Sequence, residues 1–311
     1  MAFTAGPRWS ICSCGFSRGE LNIFAGGSGS GKSLVMMNIA LNWVQAGLHG
    51  VYVTLELSEE LTGLRTAAML TNMGTREIRA DKGTAALKVT MVGKRAGSYQ
   101  VKALPAQSNI NDIRAYLKEY QIKTGRRVDF IMVDYLDLLM PVSAKVNPND
   151  LFVKDKYVSE ELRNLAKELG ILMVTASQLN RSAVEEVEFD HSHISGGISK
   201  INTADNVFGI FTSRAMKERG RYQIQAMKTR NSTGNGQKIE LDYNIDTMRI
   251  TDSGEEESSN YKKPSSAIME NLKTSSVVRP SSSTESDTPK VNATVDSSRL
   301  KSMLASIKKT A

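Results

Sequence analysis

The sequence is short of the residues that build disulfide frameworks, metal centres and membrane spans. Among 311 residues there are two cysteines, three histidines and 6% aromatics. Cys12 and Cys14 sit too close for an easy bridge and are too few for a metal site, so they read as free thiols in a reducing compartment. His191 and His193 stand at i and i+2 with no partnering cluster and read as plain loop histidines. No apolar run reaches the ~18 residues of a transmembrane helix, and residues 1–8 lack the apolar core of a signal peptide. The expectation is a cytoplasmic protein without a membrane partner. A net charge of +7 suits nucleic acid but is too modest to establish it.

What the chain does have is a phosphate-binding loop. Gly26-Gly27-Ser28-Gly29-Ser30-Gly31-Lys32-Ser33 fits G-x-x-x-x-G-K-[ST]. A glycine-rich turn can point successive backbone N–H groups at phosphate oxygens. Lys32 can then reach the β- and γ-phosphates of ATP, and the Ser33 hydroxyl can hold Mg²⁺. The flanks agree with this reading: residues 21–25 form a short apolar run ahead of the loop, and 34–44 have helical spacing after it.

From about residue 19 to residue 250, apolar strand-like runs alternate with helical patterns, which signals an α/β fold with a mostly parallel sheet flanked by helices. The runs lie at 21–25, 50–55, 128–134, 171–177, 206–212 and 222–228, with a pair at 237–243 and 247–251 joined by a turn at Asn244-Ile245-Asp246. The clearest helix spans 153–169, with Val158, Leu162, Leu165 and Leu169 on one face and Gly170 as its C-cap. Residues 1–252 therefore read as one domain. Residues 253–311, dense in Ser, Thr, Lys, Glu and Pro, read as a disordered tail. Near its end, Leu300, Met303, Leu304 and Ile307 share one helical face, which suits a partner-binding helix.

Three of the runs end in side chains suited to triphosphate hydrolysis, since ligands of parallel sheets sit at the carboxyl ends of strands. Asp134 closes 128–134, where the Mg²⁺ shell needs an acceptor. Glu56 follows 50–55, where a carboxylate can orient the attacking water. Gln178 follows 171–177, where its amide can sense the γ-phosphate. A fourth run carries Lys228 and Arg230 at i and i+2, on one side of a strand and beyond its end, the placement of an arginine finger and companion supplied in trans.

Taken in this order, the segments resemble the RecA-like motor domain of DnaB-type hexameric replicative helicases, particularly those of tailed bacteriophages. The likeness runs from about Cys14 to Asp252. It is carried by Thr54-Leu55-Glu56-Leu57-Ser58, Val133-Asp134-Tyr135-Leu136-Asp137-Leu138-Leu139, Leu165-Ala166-Lys167-Glu168-Leu169, Ser177-Gln178-Leu179-Asn180-Arg181 and Lys228-Thr229-Arg230-Asn231. The resemblance implies an ATP- and Mg²⁺-dependent helicase that moves along single-stranded DNA as a homo-oligomeric ring of six. It implies 5′–3′ polarity, a primase or helicase loader as partner, and the host cytoplasm if the source is a virus. It also implies that Glu56 is the base, Asp134 the Mg²⁺-associated acid, Gln178 the sensor, and Lys228 with Arg230 the trans-acting pair. Two channel loops would correspond to 143–151 and 180–201. In the second, Ser195-Gly196-Gly197-Ile198-Ser199-Lys200 offers N–H groups and a lysine to the DNA backbone. Full-length members carry an N-terminal helical domain and a linker helix. Here the motor pattern starts near Met1, so the chain is expected to be a fragment, to take its collar from another chain, or to lack one. A RecA-type recombinase filament and a DNA-dependent ATPase acting as a loader remain as alternatives.

Overall fold

A computed structural model describes residues 16–143, 150–178, 200, 202–230 and 235–253. The chain divides into two units, Met1–Glu256 and Glu257–Ala311, and the described residues all belong to the first. Cys12, Cys14, His191, His193, residues 144–149 of the first candidate channel loop, all of the second but Lys200, and the tail from 254 lie outside the described residues.

The nine described strands are β1 (Leu21–Gly26), β2 (Gly50–Thr54), β3 (Tyr99–Ala103), β4 (Phe130–Asp134), β5 (Leu172–Gln178), β6 (Asn206–Ile210), β7 (Arg221–Thr229), β8 (Lys238–Tyr243) and β9 (Ile250–Asp252). They form one sheet in the order β3-β2-β4-β5-β1-β6-β7-β8-β9. From β3 to β6 every pairing is parallel, and β7, β8 and β9 add antiparallel neighbours.

The sequence explains the parallel half. All residues of β1, β2 and β4 are buried, as strands covered on both faces must be. Alternation then sorts their side chains into two layers. Phe24, Tyr52, Met132 and Val174 face helix α1 (Lys32–Gln45). Ile23, Val51, Ile131 and Met173 face α5 (Ile110–Thr124) and α6 (Leu151–Leu169). Between β2 and β3 run α2 (Glu59–Thr71), α3 (Thr75–Ala80) and α4 (Lys82–Gly93), which pack through Ala68, Met73, Ile78 and Ala85. Helix α7 (Arg214–Glu218) links β6 to β7. No helix among the described residues is long and apolar enough to cross a membrane.

The structure adjusts the sequence reading in four places. β3 is an additional parallel edge strand; Gln100 and Lys102 break its apolar pattern. β6 ends at Ile210, short of 212, because Ser213 caps Met216 N and starts α7. The last strand begins at Ile250, short of 247, because the turn extends to Met248 (φ 58°) with Asn244 Oδ1 accepting from Asp246 N and Thr247 N. On α6, Gly170 is the C-cap (φ 64°), but Leu169 is exposed and the buried face continues backwards through Asp155 and Lys154.

Candidate nucleotide-binding site

Parallel register sets the site. Thr54 pairs with Asp134, and Gly26 with Gln178, so the carboxyl ends of β2, β4, β5 and β1 form one edge. A cleft of about 360 Å³ opens there, with Gly29, Lys32, Ser33, Glu56, Asp134 and Gln178 on its walls. These are the groups the sequence singled out for phosphate binding, metal binding and catalysis, and they converge.

The loop is shaped by two glycine requirements. Gly31 adopts φ 96°, and a Cβ there would collide with Tyr222 Oη. Tyr222, wholly buried on β7, donates to Ser30 O at 2.5 Å and supports the loop from beneath. At Gly26 a Cβ would strike Ser30 Oγ. The loop leads into α1, whose N-terminus has no side-chain cap and no acidic residue in its first turn. Its N–H groups and dipole therefore suit an anion.

Lys32 Nζ donates to Gly26 O and Gly27 O, both at 3.0 Å. Burial lowers its pKa, and the carboxylates of Asp137, Asp134 and Glu56 act in the opposite direction. Asp134 is 1% exposed; its Oδ2 accepts from Tyr52 Oη at 2.7 Å, and its buried Oδ1 has no hydrogen-bond partner of good geometry. Burial raises the Asp134 pKa against the pull of the Ser33 and Tyr52 hydroxyls and of Lys32. An orphaned buried carboxylate oxygen beside a serine hydroxyl fits Mg²⁺, a hard cation that completes its shell with water and phosphate. Glu56, by contrast, is exposed, thrown outward by a turn in which Thr54 Oγ1 donates to Leu57 O and accepts from Leu57 N, both at 2.9 Å.

Removing Lys32 should therefore weaken triphosphate binding. A charged hydrogen bond contributes roughly 1.5–3 kcal/mol, so Lys32→Ala is expected to lower ATP affinity by about 10- to 100-fold and to silence hydrolysis. Fluorescent-nucleotide titration of the folded variant checks this.

Lys228 and Arg230 lie elsewhere. Asn22 pairs with Asn206, and Asn206 with Thr229, so the end of β7 is level with the start of β1. The pair thus occupies the opposite edge of the sheet from the cleft, on the order of 15 Å away at ~3.3 Å per residue. There Lys228 Nζ donates to Ala204 O at 2.8 Å and Arg230 Nε lies 3.3 Å from Asp205 Oδ1.

The sequence reading missed several groups at the cleft. Arg65 on α2 and Lys217 on α7 line it, and Lys217 Nζ donates to Gly29 O. Burial, then the nearby Lys32 charge, lowers the Lys217 pKa. Behind Gln178 lies a buried charge cluster. Lys200, expected from the sequence to meet the DNA backbone, is instead 1% exposed: it pairs with Asp137 and with Asp155 at 2.7 Å and donates to Ser177 Oγ at 3.0 Å. Lys154 Nζ donates to Asp137 O at 2.6 Å, and Gln178 N donates to Asp137 Oδ2 at 3.2 Å. Lys200→Met would leave the buried Asp155 and the half-buried Asp137 without their shared cation, and breaking a buried pair costs about 3–5 kcal/mol. Denaturant unfolding should show that loss of free energy as a lowered midpoint at an unchanged slope.

Comparison with known proteins settles the family. The DnaB-like helicase C-terminal domain profile matches residues 11–252. The chain belongs to that family. A DnaB-like replicative helicase of Enterobacteria phage T4 is 27% identical over 224 residues, covering 70% of this chain and 47% of the relative. The replicative DNA helicase DnaB of Geobacillus stearothermophilus is 29% identical over 174 residues, 54% of this chain and 37% of the relative. The chain thus spans about half, or less, of the curated relatives it matches. Two solved structures share the fold at TM-score 0.65 and 17% identity over 76% of this chain. One is a DnaB-like replicative helicase described with its primase interactions, covered over 58%; the other is an isolated ATPase domain, covered over 86%. Membership does not favour the recombinase and loader alternatives. Within this DnaB-like domain, the mostly parallel sheet expected from the sequence is found, with its cleft at the strand ends.

Proposed function

We propose that this chain is the ATP-hydrolysing motor of a replicative DNA helicase, working as a closed ring of six on single-stranded DNA. The observation that carries the reading is the division of the proposed machinery between two edges of one sheet. Gly26 to Ser33, Glu56, Asp134 and Gln178 meet at one edge, and Lys228 with Arg230 lie at the other. A head-to-tail contact joins unlike edges of neighbouring protomers, and repeated around an axis it closes a ring.

In this reading the loop N–H groups of Gly27, Ser28, Gly29, Ser30 and Gly31, together with Lys32, hold the β- and γ-phosphates. Ser33 and Asp134 hold Mg²⁺, which when bound neutralises charge on the phosphates. Glu56 orients the attacking water and accepts its proton. Gln178 reports the γ-phosphate to the backbone of β5, through which segment 180–201 follows. Arg230 of a neighbouring protomer, with Lys228, offsets the negative charge of the transition state. Segments 143–151 and 180–201 are assigned to the DNA backbone, apart from the buried Lys200. A primase or loader is the expected protein partner, and the cytoplasm of the cell in which the DNA is copied the expected location.

The experiment is subunit mixing. Glu56→Gln disables its own protomer's site, whereas Arg230→Ala disables its neighbour's. Co-assembled mixtures of the two inactive proteins should regain part of the ATPase rate. A flat response across mixing ratios, in particles shown to contain both variants, refutes the shared site.

A further inference from the structure

Arg230 does not stand alone at the edge of β7, and its surroundings assign a role to a residue so far without one. Asp205 immediately precedes β6, and its side chain is 3% exposed. Three hydrogen bonds and one further ion-pair contact converge on its carboxylate. Arg163 of α6 forms a two-pronged contact, Nε to Oδ2 at 2.8 Å and Nη2 to Oδ1 at 2.6 Å. Leu21 N donates to Oδ2 at 3.0 Å, and Arg230 Nε stands 3.3 Å from Oδ1. The arrangement is unequal. Arg163 takes the ideal forked geometry, while Arg230 receives one longer contact through Nε and a marginal one from Nη2 to Asn202 O at 3.5 Å.

The chemistry of that inequality is informative. Three cations, Arg163, Lys228 and Arg230, share this edge with the buried Asp205 carboxylate, which Arg163 already neutralises. Arg230 is 43% exposed on its side chain, with Nε beside Asp205. Burial opposes ionisation of Asp205, yet Arg163, Leu21 N and Arg230 outweigh it and hold its pKa below the ordinary value. The carboxylate is therefore a fixed anion at neutral pH, anchored to the backbone of β1 by Leu21 N.

We infer that Asp205 is the positioning residue for the trans-acting pair: clamped by Arg163, it holds Arg230 by Nε and presents the outer guanidinium edge to the phosphates of a neighbouring protomer. The inference rests on the proposed shared site. It adds that the finger depends on the Arg163–Asp205 pair, half-buried at the arginine and buried at the carboxylate, running from α6 to the start of β6. Lys228 belongs to the same device, because its ammonium lies on the carbonyls of Ala204 and Asn202, the residues leading into Asp205.

The test uses the full chain and three mixtures. Asp205→Asn should bind ATP as the unaltered protein does, since the cleft is at the other edge, and hydrolyse it about 10- to 100-fold more slowly, the range over which supporting residues act. Mixed with Glu56→Gln, it should regain activity. Mixed with Arg230→Ala, it should not, because every interface then lacks a working finger. If Asp205 served only its own protomer's fold or site, the pattern would invert: recovery with Arg230→Ala and none with Glu56→Gln. That result overturns the proposal, as does unchanged hydrolysis by Asp205→Asn. The pair Asp205→Asn with Arg163→Gln keeps the net charge of the cluster unchanged, and the same two mixtures decide the matter where the single variant fails to fold. The Glu56→Gln and Arg230→Ala control separates the two ideas. Its failure to recover refutes the shared site itself, whereas recovery there with the inverted Asp205 pattern refutes only the role of Asp205.

Discussion

Arg230→Ala should lower ATP hydrolysis by on the order of 10³- to 10⁵-fold, the contribution of an arginine finger where one has been removed. Affinity for ATP should stay the same. The reasoning is geometric. Arg230 lies at the sheet edge away from its own chain's cleft, so its loss leaves Lys32, Ser33 and the loop untouched. Its charge matters only once negative charge grows on the transferred phosphoryl group in a neighbouring site. Single-turnover hydrolysis beside equilibrium nucleotide binding separates the two quantities. A variant that loses binding and turnover by the same factor would place Arg230 in the ground-state site and contradict the account.

Glu56→Gln should have the second largest effect, on the order of 10²- to 10⁴-fold in turnover, the usual share of a positioned general base. The amide keeps the size and the turn, because Thr54 and Leu57 make that turn without the Glu56 carboxylate. In the proposed role, what it loses is the acceptor for the proton of the attacking water. Binding and ring assembly should persist, giving a protein that traps ATP. A loss below about tenfold, ~1.4 kcal/mol in the barrier, would move the base to another residue.

Much of this site is written locally in the chain. The loop from Gly26 to Ser33, Asp134, Glu56 and Gln178 each directly follow or close an apolar run. The parallel strands run in one direction, which brings all such ends to one edge. Periodicity alone thus predicts that these groups meet. Lys228 and Arg230 were legible for the same reason, since i and i+2 on a strand share a side.

What escaped the sequence reading lacks a local signature. Arg65 and Lys217 reach the cleft from α2 and α7, helices whose docking depends on packing. Lys154 and Asp155 look like ordinary charges on an amphipathic helix. They are buried because Lys200, far along the chain, supplies the third member of a cluster that balances them. A single signal was available: Lys154 and Asp155 stand at i−4 and i−3 from Val158, on the helical face that the structure buries. Tyr52 and Tyr222 gave no hint either. Their hydroxyls find Asp134 and Ser30 only after β2 and β7 take their places around β4 and the loop.

The central claim is that ATP hydrolysis in this cleft is driven by single-stranded DNA and spent on moving along it. The most direct measurement is the ATPase rate of the purified chain against DNA concentration, with strand release from a forked duplex followed in the same reactions. The account predicts stimulation by single strands of any base sequence, weakening as salt rises because the contacts are to phosphates, and ATP-dependent strand release that Lys32→Ala abolishes. An ATPase rate indifferent to DNA at every salt concentration, with no strand released, would contradict it.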